Sequence, residues 1–331
     1  MNISKISPKI FHFGNGVIRA FFFGLIIISF FAVLSSTNWL PDAKTTTGLT
    51  YIMFALLLIL VLSWFSFPKF QMFLKTIFIK HKWITSIICL VLALIWQIQF
   101  VYFVHPAIGF DVSAVHNTII NPNLPELRGY FSVNYNNLSI LLTLRQVANI
   151  FHSTSWLTMA LCSTLVTDLS VLVIIATIAI INFQKIPNII YILASLLSIF
   201  PICMVPYTDV WCLLPISLSI FGWSIATQKS YLVVIRFLGA ILSGISLACG
   251  VWIKPSVAVW GIAAILTSLL YILKNNKVIL TSIFCLTIAA SFVLAYQPLK
   301  KAVQDQHYII VNQKRQIPMI HFINVGLTHD G

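Results

Sequence analysis

The sequence predicts an all-α, polytopic transmembrane helix bundle, and three observations predict it. Of 331 residues, 59% are hydrophobic and 8% charged, against roughly 25% charged in an ordinary soluble domain. The apolar residues fall in runs near the ~20 residues that a helix needs to cross a ~30 Å hydrocarbon core. The 20 Lys and Arg outnumber the 7 Asp and Glu, giving a formal charge of +13, and they punctuate those runs as positive-inside topology requires. Nucleic-acid binding, the other common meaning of a basic chain, needs Lys and Arg clustered on a polar folded surface, and the sequence offers none. The six cysteines lie within apolar runs with no CxxC pair and read as small apolar packers.

About nine spans follow in order: 17–37, 49–67, 84–104, 157–181, 188–206, 211–227, 235–253, 256–273 and 278–297. The first has Lys5, Lys9 and Arg19 at its start and no small-residue cleavage site behind it, so it reads as a retained span rather than a removed signal peptide. This divides the chain into a two-span N-terminal region (1–83), a core of spans (84–297) and a tail (298–331). With the N-terminus cytoplasmic, twelve of the 20 basic residues crowd short inner loops and eight spread over longer outer segments, which supports that orientation. The tail is then extracytoplasmic. Asp42, Asp111, Glu126, Asp209, Asp305 and Asp330 fall at the outer face and Asp168 within the fourth span, so any chemistry belongs outside. Asp168 would be costly facing lipid and is expected to face the bundle interior.

Residues 105–136, HPAIGFDVSAVHNTIINPNLPELRGYFSVNYN, form a large first extracytoplasmic loop, far longer than the other connections and therefore a candidate functional segment. In the stretch 136–152 that follows, Asn136, Ser139, Thr143 and Gln146 recur at helical offsets with leucines on other faces. That pattern predicts an amphipathic helix lying in the membrane interface, with Arg145 near the headgroups; a short tilted span is the alternative.

Several short motifs in this order carry a resemblance. Gly109-Phe110-Asp111, Tyr130-Phe131 and Tyr135-Asn136-Asn137-Leu138 are followed by Pro206-Tyr207-Thr208-Asp209, by Lys254-Pro255-Ser256, and by Pro318-Met319-Ile320-His321-Phe322 with Gly326-Leu327. The arrangement resembles the GT-C class of polytopic glycosyltransferases. It is most similar to integral membrane GT-C-like proteins of Gram-positive bacteria, which carry YPNN where this chain has Tyr135-Asn136-Asn137 after Asn134. Those proteins continue through glycine-rich sequence and further spans, whereas this chain stops at Gly331; it therefore resembles a truncated member, or one that works with a partner.

The resemblance implies transfer of a sugar from a polyprenyl-phosphate donor to a glycan or glycolipid acceptor at the outer membrane face, in cell-envelope glycan assembly. Membrane lipid is the implied surrounding partner, and nucleic acid is not a partner. Asp111 is the expected base, because an inverting displacement needs a carboxylate within about 3 Å of the attacking hydroxyl. Asp209 is the second candidate catalytic carboxylate, and capping the next helix is its plainer role. Lys254 and Arg145 are candidates for the donor phosphate, where charge grows in the transition state; snorkelling to headgroups is the alternative for each. His116, Tyr135, Asn136, Asn137, Tyr207 and His321 are expected to line the substrate. No HxxxH or HxH spacing supports a metal site, so no cofactor is required, although a divalent cation bridging to phosphate is compatible with the reading. The competing class is a multi-pass transporter, or a lipid-linked glycan flippase or polymerase. Transporters show broken helices at corresponding places in two halves, and no internal repeat is visible here.

Overall fold

The computed structural model describes residues 12–21, 23–25, 27–28, 55–56, 59–60, 62–199, 204–275 and 278–317. The described residues are helical, with no strand among them. About half of each of the expected spans 17–37 and 49–67 lies outside them. Contacts divide the chain into two compact units, residues 1–86 with 267–278, and residues 87–266 with 279–331.

In the first unit, helix α1 (Pro68–Lys75) starts where Pro68 takes the first helical position, at which its missing N–H costs nothing. A π-helical turn, Thr76–Lys80, follows. The Gln71 amide donates to the Trp64 carbonyl, and Lys75 stands over the Trp64 ring.

The second unit carries most of the described fold. Helix α2 (Lys82–Phe103) leads into the loop 104–109, and the expected outer loop folds into two helices, α3 (Phe110–Ile120) and α4 (Pro125–Val133). Pro125 and Glu126 open α4, a start favoured by the fixed proline φ and by negative charge near the helix N-terminus. Phe110 enters α3 with φ 55°, in the left-handed region that non-glycine residues seldom adopt, and its side chain is 97% exposed.

After the 3-10 turn Tyr135–Asn137, helix α5 (Leu138–Phe151) runs to His152, whose left-handed backbone ends it. The expected amphipathic helix is present and packs deeply into the protein. Leu138, Ile140, Leu141 and Leu144 are all buried, and so is Ser139 on the expected polar face. The α5 residues form the centre of a cluster with Val115 and Ile119 of α3, Phe131 of α4, and Val303 and Ile309 of the tail. Ser139 and Thr143 hydroxyls donate to the Asn136 and Ser139 carbonyls, so the polar face is satisfied within the helix and tolerates packing.

Helix α6 (Trp156–Asn182) is capped by Ser155, whose hydroxyl accepts from the Thr158 N–H. A turn at Phe183–Lys185 separates it from α7 (Ile186–Ile199). Residues Trp156–Ser198 form one apolar stretch of 43 residues, about 65 Å if straight and twice the hydrocarbon thickness. The stretch is instead a helical hairpin: Val171 of α6 packs in one cluster with Leu193, Ala194 and Leu197 of α7 and Ala93 of α2.

A short helix α8 (Thr208–Trp211) precedes α9 (Leu213–Thr227), α10 (Val233–Ile253), α11 (Ala258–Asn275) and α12 (Val278–Gln304). Helices α9 and α10 meet through small residues. A Cβ on Gly222 would lie 2.6 Å from the Gly239 carbonyl oxygen, so the backbones touch as in small-xxx-small membrane pairs. Inside that contact the Ser219 hydroxyl donates to the Ser243 carbonyl at 3.0 Å, and the Trp260 indole donates to Ser219.

Five stretches among the described residues are long and apolar enough to cross a membrane: Lys82–Phe103, Trp156–Ser198, Thr208–Thr227, Val233–Ile253 and Ser282–Gln304, with Pro255–Ser268 a shorter apolar helix. Residues 305–317 then fold back over the loop helices. The Tyr308 hydroxyl is hydrogen-bonded to the Thr118 and Ile119 carbonyls at the end of α3, the Asn312 N–H donates to Ser132, and the Ile317 N–H to the Val133 carbonyl.

Candidate functional site

The loop helices, the residues before α8 and the turn after α10 converge at one end of the second unit. Asp111 sits in the first turn of α3, half-buried. Its Oδ2 accepts a hydrogen bond from the Tyr207 hydroxyl at 2.7 Å, and the Asp111 carboxyl also acts on the Tyr130 hydroxyl. Asn137, buried at the end of the Tyr135–Asn137 turn, donates its Nδ2 hydrogens to the Tyr130 hydroxyl at 2.6 Å and the Tyr207 hydroxyl at 3.1 Å. The Asn136 amide donates in turn to Asn137 Oδ1. Two segments 70 residues apart in sequence therefore hold one carboxylate between two phenols.

Burial pushes the Tyr130 and Tyr207 hydroxyls well above their ordinary range, and the hydrogen bond to Asp111 pushes in the same direction. Both phenols stay neutral and act as donors. A carboxylate has about four lone-pair positions, so Asp111 keeps acceptor capacity after these bonds.

Two residues beyond Tyr207, Asp209 lies in the first turn of α8 with no side-chain capping bond. It forms an ion pair with Lys254 instead, the side chains being 59% and 33% exposed respectively. A pair this open contributes at most about 1 kcal/mol to stability, so its value lies elsewhere. Lys254 ends α10, and the turn Pro255–Val257 follows at once. Gly250 is required there, since a Cβ would sit 2.9 Å from Val257. Residues 207 and 209 are at most about 7 Å apart along the chain, and the Asp209 charge acts on the Tyr207 hydroxyl. Asp111, the two phenols, Asn137 and the exposed ion pair are therefore contiguous.

The remaining sequence-predicted residues make other contacts. His116, five positions beyond Asp111, points about 140° around the helix from it; its Nε2 is bonded to the Thr154 carbonyl at 2.7 Å and its ring stacks on Trp156. Arg145 stands over the Tyr308 ring at 3.7 Å, a cation–π contact that clamps the folded-back tail to α5. Tyr135 accepts from the Gln313 amide at 3.2 Å, and burial raises its hydroxyl pKa. Asn136 is exposed, and His321 lies outside the described residues.

Sequence reasoning left Tyr130 out of the candidate residues. Its signal was the Tyr130-Phe131 pair, whose second ring is fully buried while the first turns to Asp111. Tyr308 left no signal, because its role exists only once the tail folds back. Among the described residues no group of three or more His, Cys, Asp or Glu side chains could hold a metal ion.

A family described as conserved hypothetical integral membrane protein matches residues 10–331. No curated protein and no solved structure matches the chain.

Proposed function

We propose a glycosyl-transfer function for this chain, which belongs to the family of conserved hypothetical integral membrane proteins. The donor is a polyprenyl-phosphate sugar, the acceptor a glycan or glycolipid, and the site faces outward in a protein of about nine spans with a cytoplasmic N-terminus. One observation carries this reading: a half-buried carboxylate held by two neutral phenols beside an exposed carboxylate–ammonium pair, at an apolar bundle's end. The basic residues Lys185, Lys229 and Arg236 lie at the opposite helix ends, which supports the orientation.

The acceptor hydroxyl gives its proton to Asp111 as its oxygen bonds to the anomeric carbon, and the carbon–oxygen bond to phosphate breaks with its electron pair leaving on the phosphate. Tyr130, Tyr207 and Asn137 fix the carboxylate, so little reorganisation accompanies attack. The Lys254 ammonium has three donors, of which Asp209 occupies one, and the others stabilise the leaving phosphate. Asp209 thus orients Lys254. Arg145, engaged with Tyr308, supports the site through the tail.

The test is transfer from polyprenyl-phosphate sugars in membranes. Asp111→Asn keeps the shape of the side chain and removes the base, and the rate is expected to fall about 10²–10⁴-fold. Equal transfer by both proteins sinks the assignment. A second reading, movement of a lipid-linked substrate across the membrane, draws on Asp168 in α6, whose Oδ1 is buried without a hydrogen bond, since intramembrane carboxylates mark transport pathways. Substrate flux across vesicles without transfer favours it.

A further inference from the structure

The geometry points to a subsite for one uncharged sugar ring in the recess between the Tyr135–Asn137 turn and residues 303–313. On the glycosyl-transfer reading, on which this name rests, it is the place of the acceptor's terminal residue. The recess has a volume of about 260 Å³, just below the ~300–1,000 Å³ of sites for drug-sized ligands. It suits one ring rather than an extended chain.

Its lining specifies the chemistry. Tyr135, Gln304, Gln306, His307 and Gln313 supply the polar groups and Val303 is part of the apolar floor, while among the described residues no Asp, Glu, Lys or Arg lines the recess. In a chain with 20 basic residues, a polar recess without one disfavours a phosphate, a uronate or an anionic headgroup. Side-chain amides offer paired donors and acceptors, which match the vicinal hydroxyls of a pyranose. The aromatic face of Tyr135 is electron-rich and accepts the C–H face of such a ring.

The groups are also prearranged. Gln313 donates to the Tyr135 hydroxyl, which orients the phenol. Both polar ends of Gln306 are tied to Ile309, by its N–H and by its carbonyl, which shapes the loop. Gln304 and Gln313 are exposed, so their remaining hydrogen-bonding capacity faces solvent at little cost until a ligand replaces the water.

The recess has the right neighbour. Tyr135 and Asn137 share one turn, and Asn137 holds both phenols of the Asp111 cluster. Their Cα atoms are within about 7 Å, so the recess and the Asp111 cluster share the Tyr135–Asn137 turn.

The test reads binding without any donor and so stands apart from the transfer assay. The full chain in nanodiscs is probed by saturation-transfer NMR with methyl α-glucopyranoside, methyl α-mannopyranoside and methyl β-galactopyranoside. At least one is expected to bind, with affinity falling about fivefold in Gln304→Ala and in Gln313→Ala, as for one lost neutral hydrogen bond. Tyr135→Phe keeps the ring and is expected to retain most of the signal, and Tyr135→Ala to lose it. Discs containing a neutral monoglucosyl diacylglycerol provide the second arm: loss of the soluble probe's signal identifies a membrane-borne sugar as the occupant, and its persistence a soluble glycan. No binding by any pyranoside overturns the subsite. So do unchanged affinities in the variants, or glucose 1-phosphate binding as well as the neutral probes. Asp111→Asn transferring like the wild type would remove the catalytic reading and leave the pyranoside result intact.

Discussion

Asn137 gives both amide hydrogens to phenolic oxygens, and the Tyr207 proton goes on to the Asp111 carboxylate. A chain of donors polarised in one direction is stronger than its separate bonds. It also ties the site to alkaline pH. Tyr130 and Tyr207 hold their protons above the ordinary tyrosine range, so the folded state binds more protons than the unfolded state once pH passes about 10. The stability these groups contribute is complete below that pH and is lost as pH rises through the raised values. Thermal unfolding in detergent between pH 8 and 11 is therefore expected to show a steeper alkaline decline in the wild type than in Tyr130→Phe with Tyr207→Phe. Parallel declines would contradict this account of the cluster.

Among the elements, α9 and α10 carry the closest backbone contact. At Gly222 an added methyl group meets the Gly239 carbonyl at 2.6 Å and the Ser243 nitrogen at 2.7 Å, and backbone has no room to yield. Gly222→Ala gains about 1 kcal/mol of helix propensity and loses about 1–3 kcal/mol to overpacking, so a net fall in melting temperature is expected. Gly129, in the middle of α4, has nothing within 4 Å of the same position, and there alanine is expected to raise it. The opposite signs are the measurement, since propensity alone predicts a gain at both.

At the scale of the whole molecule, five stretches among the described residues are long and apolar enough to cross a membrane, and the order of turns places Lys229 and Lys314 at opposite helix ends. Cysteines introduced at these positions are expected to react with a membrane-impermeant maleimide from opposite sides of intact cells; labelling from one side would undo the arrangement. Much of this was legible in sequence. Apolar runs reveal helices, and the hairpin turn shows as the polar break Asn182-Phe183-Gln184-Lys185. Charged groups are so scarce that Asp111, Asp209 and Lys254 stood out as candidates. What sequence left hidden is non-local. Covering α5 takes Ile309 and Tyr308 from more than 150 positions away, so sequence showed an amphipathic helix but not the core that it centres. In the same way Arg145 looked like a free cation and proves to face a ring.

Phe110 stands immediately before Asp111, its backbone held in a costly left-handed conformation and its ring wholly exposed. Such strain persists only where the surrounding structure maintains it. Phe110 opens α3, in the segment after the membrane-length helix α2, and an exposed apolar ring there gains by entering an apolar phase. Inserted in lipid, the Phe110 ring would set the height of the neighbouring carboxylate above the hydrocarbon. On the proposed transfer function, rates are expected to pass through an optimum as lipid acyl chains are lengthened, and Phe110→Ser to flatten that dependence, so that bilayer thickness itself would be a determinant of the proposed reaction.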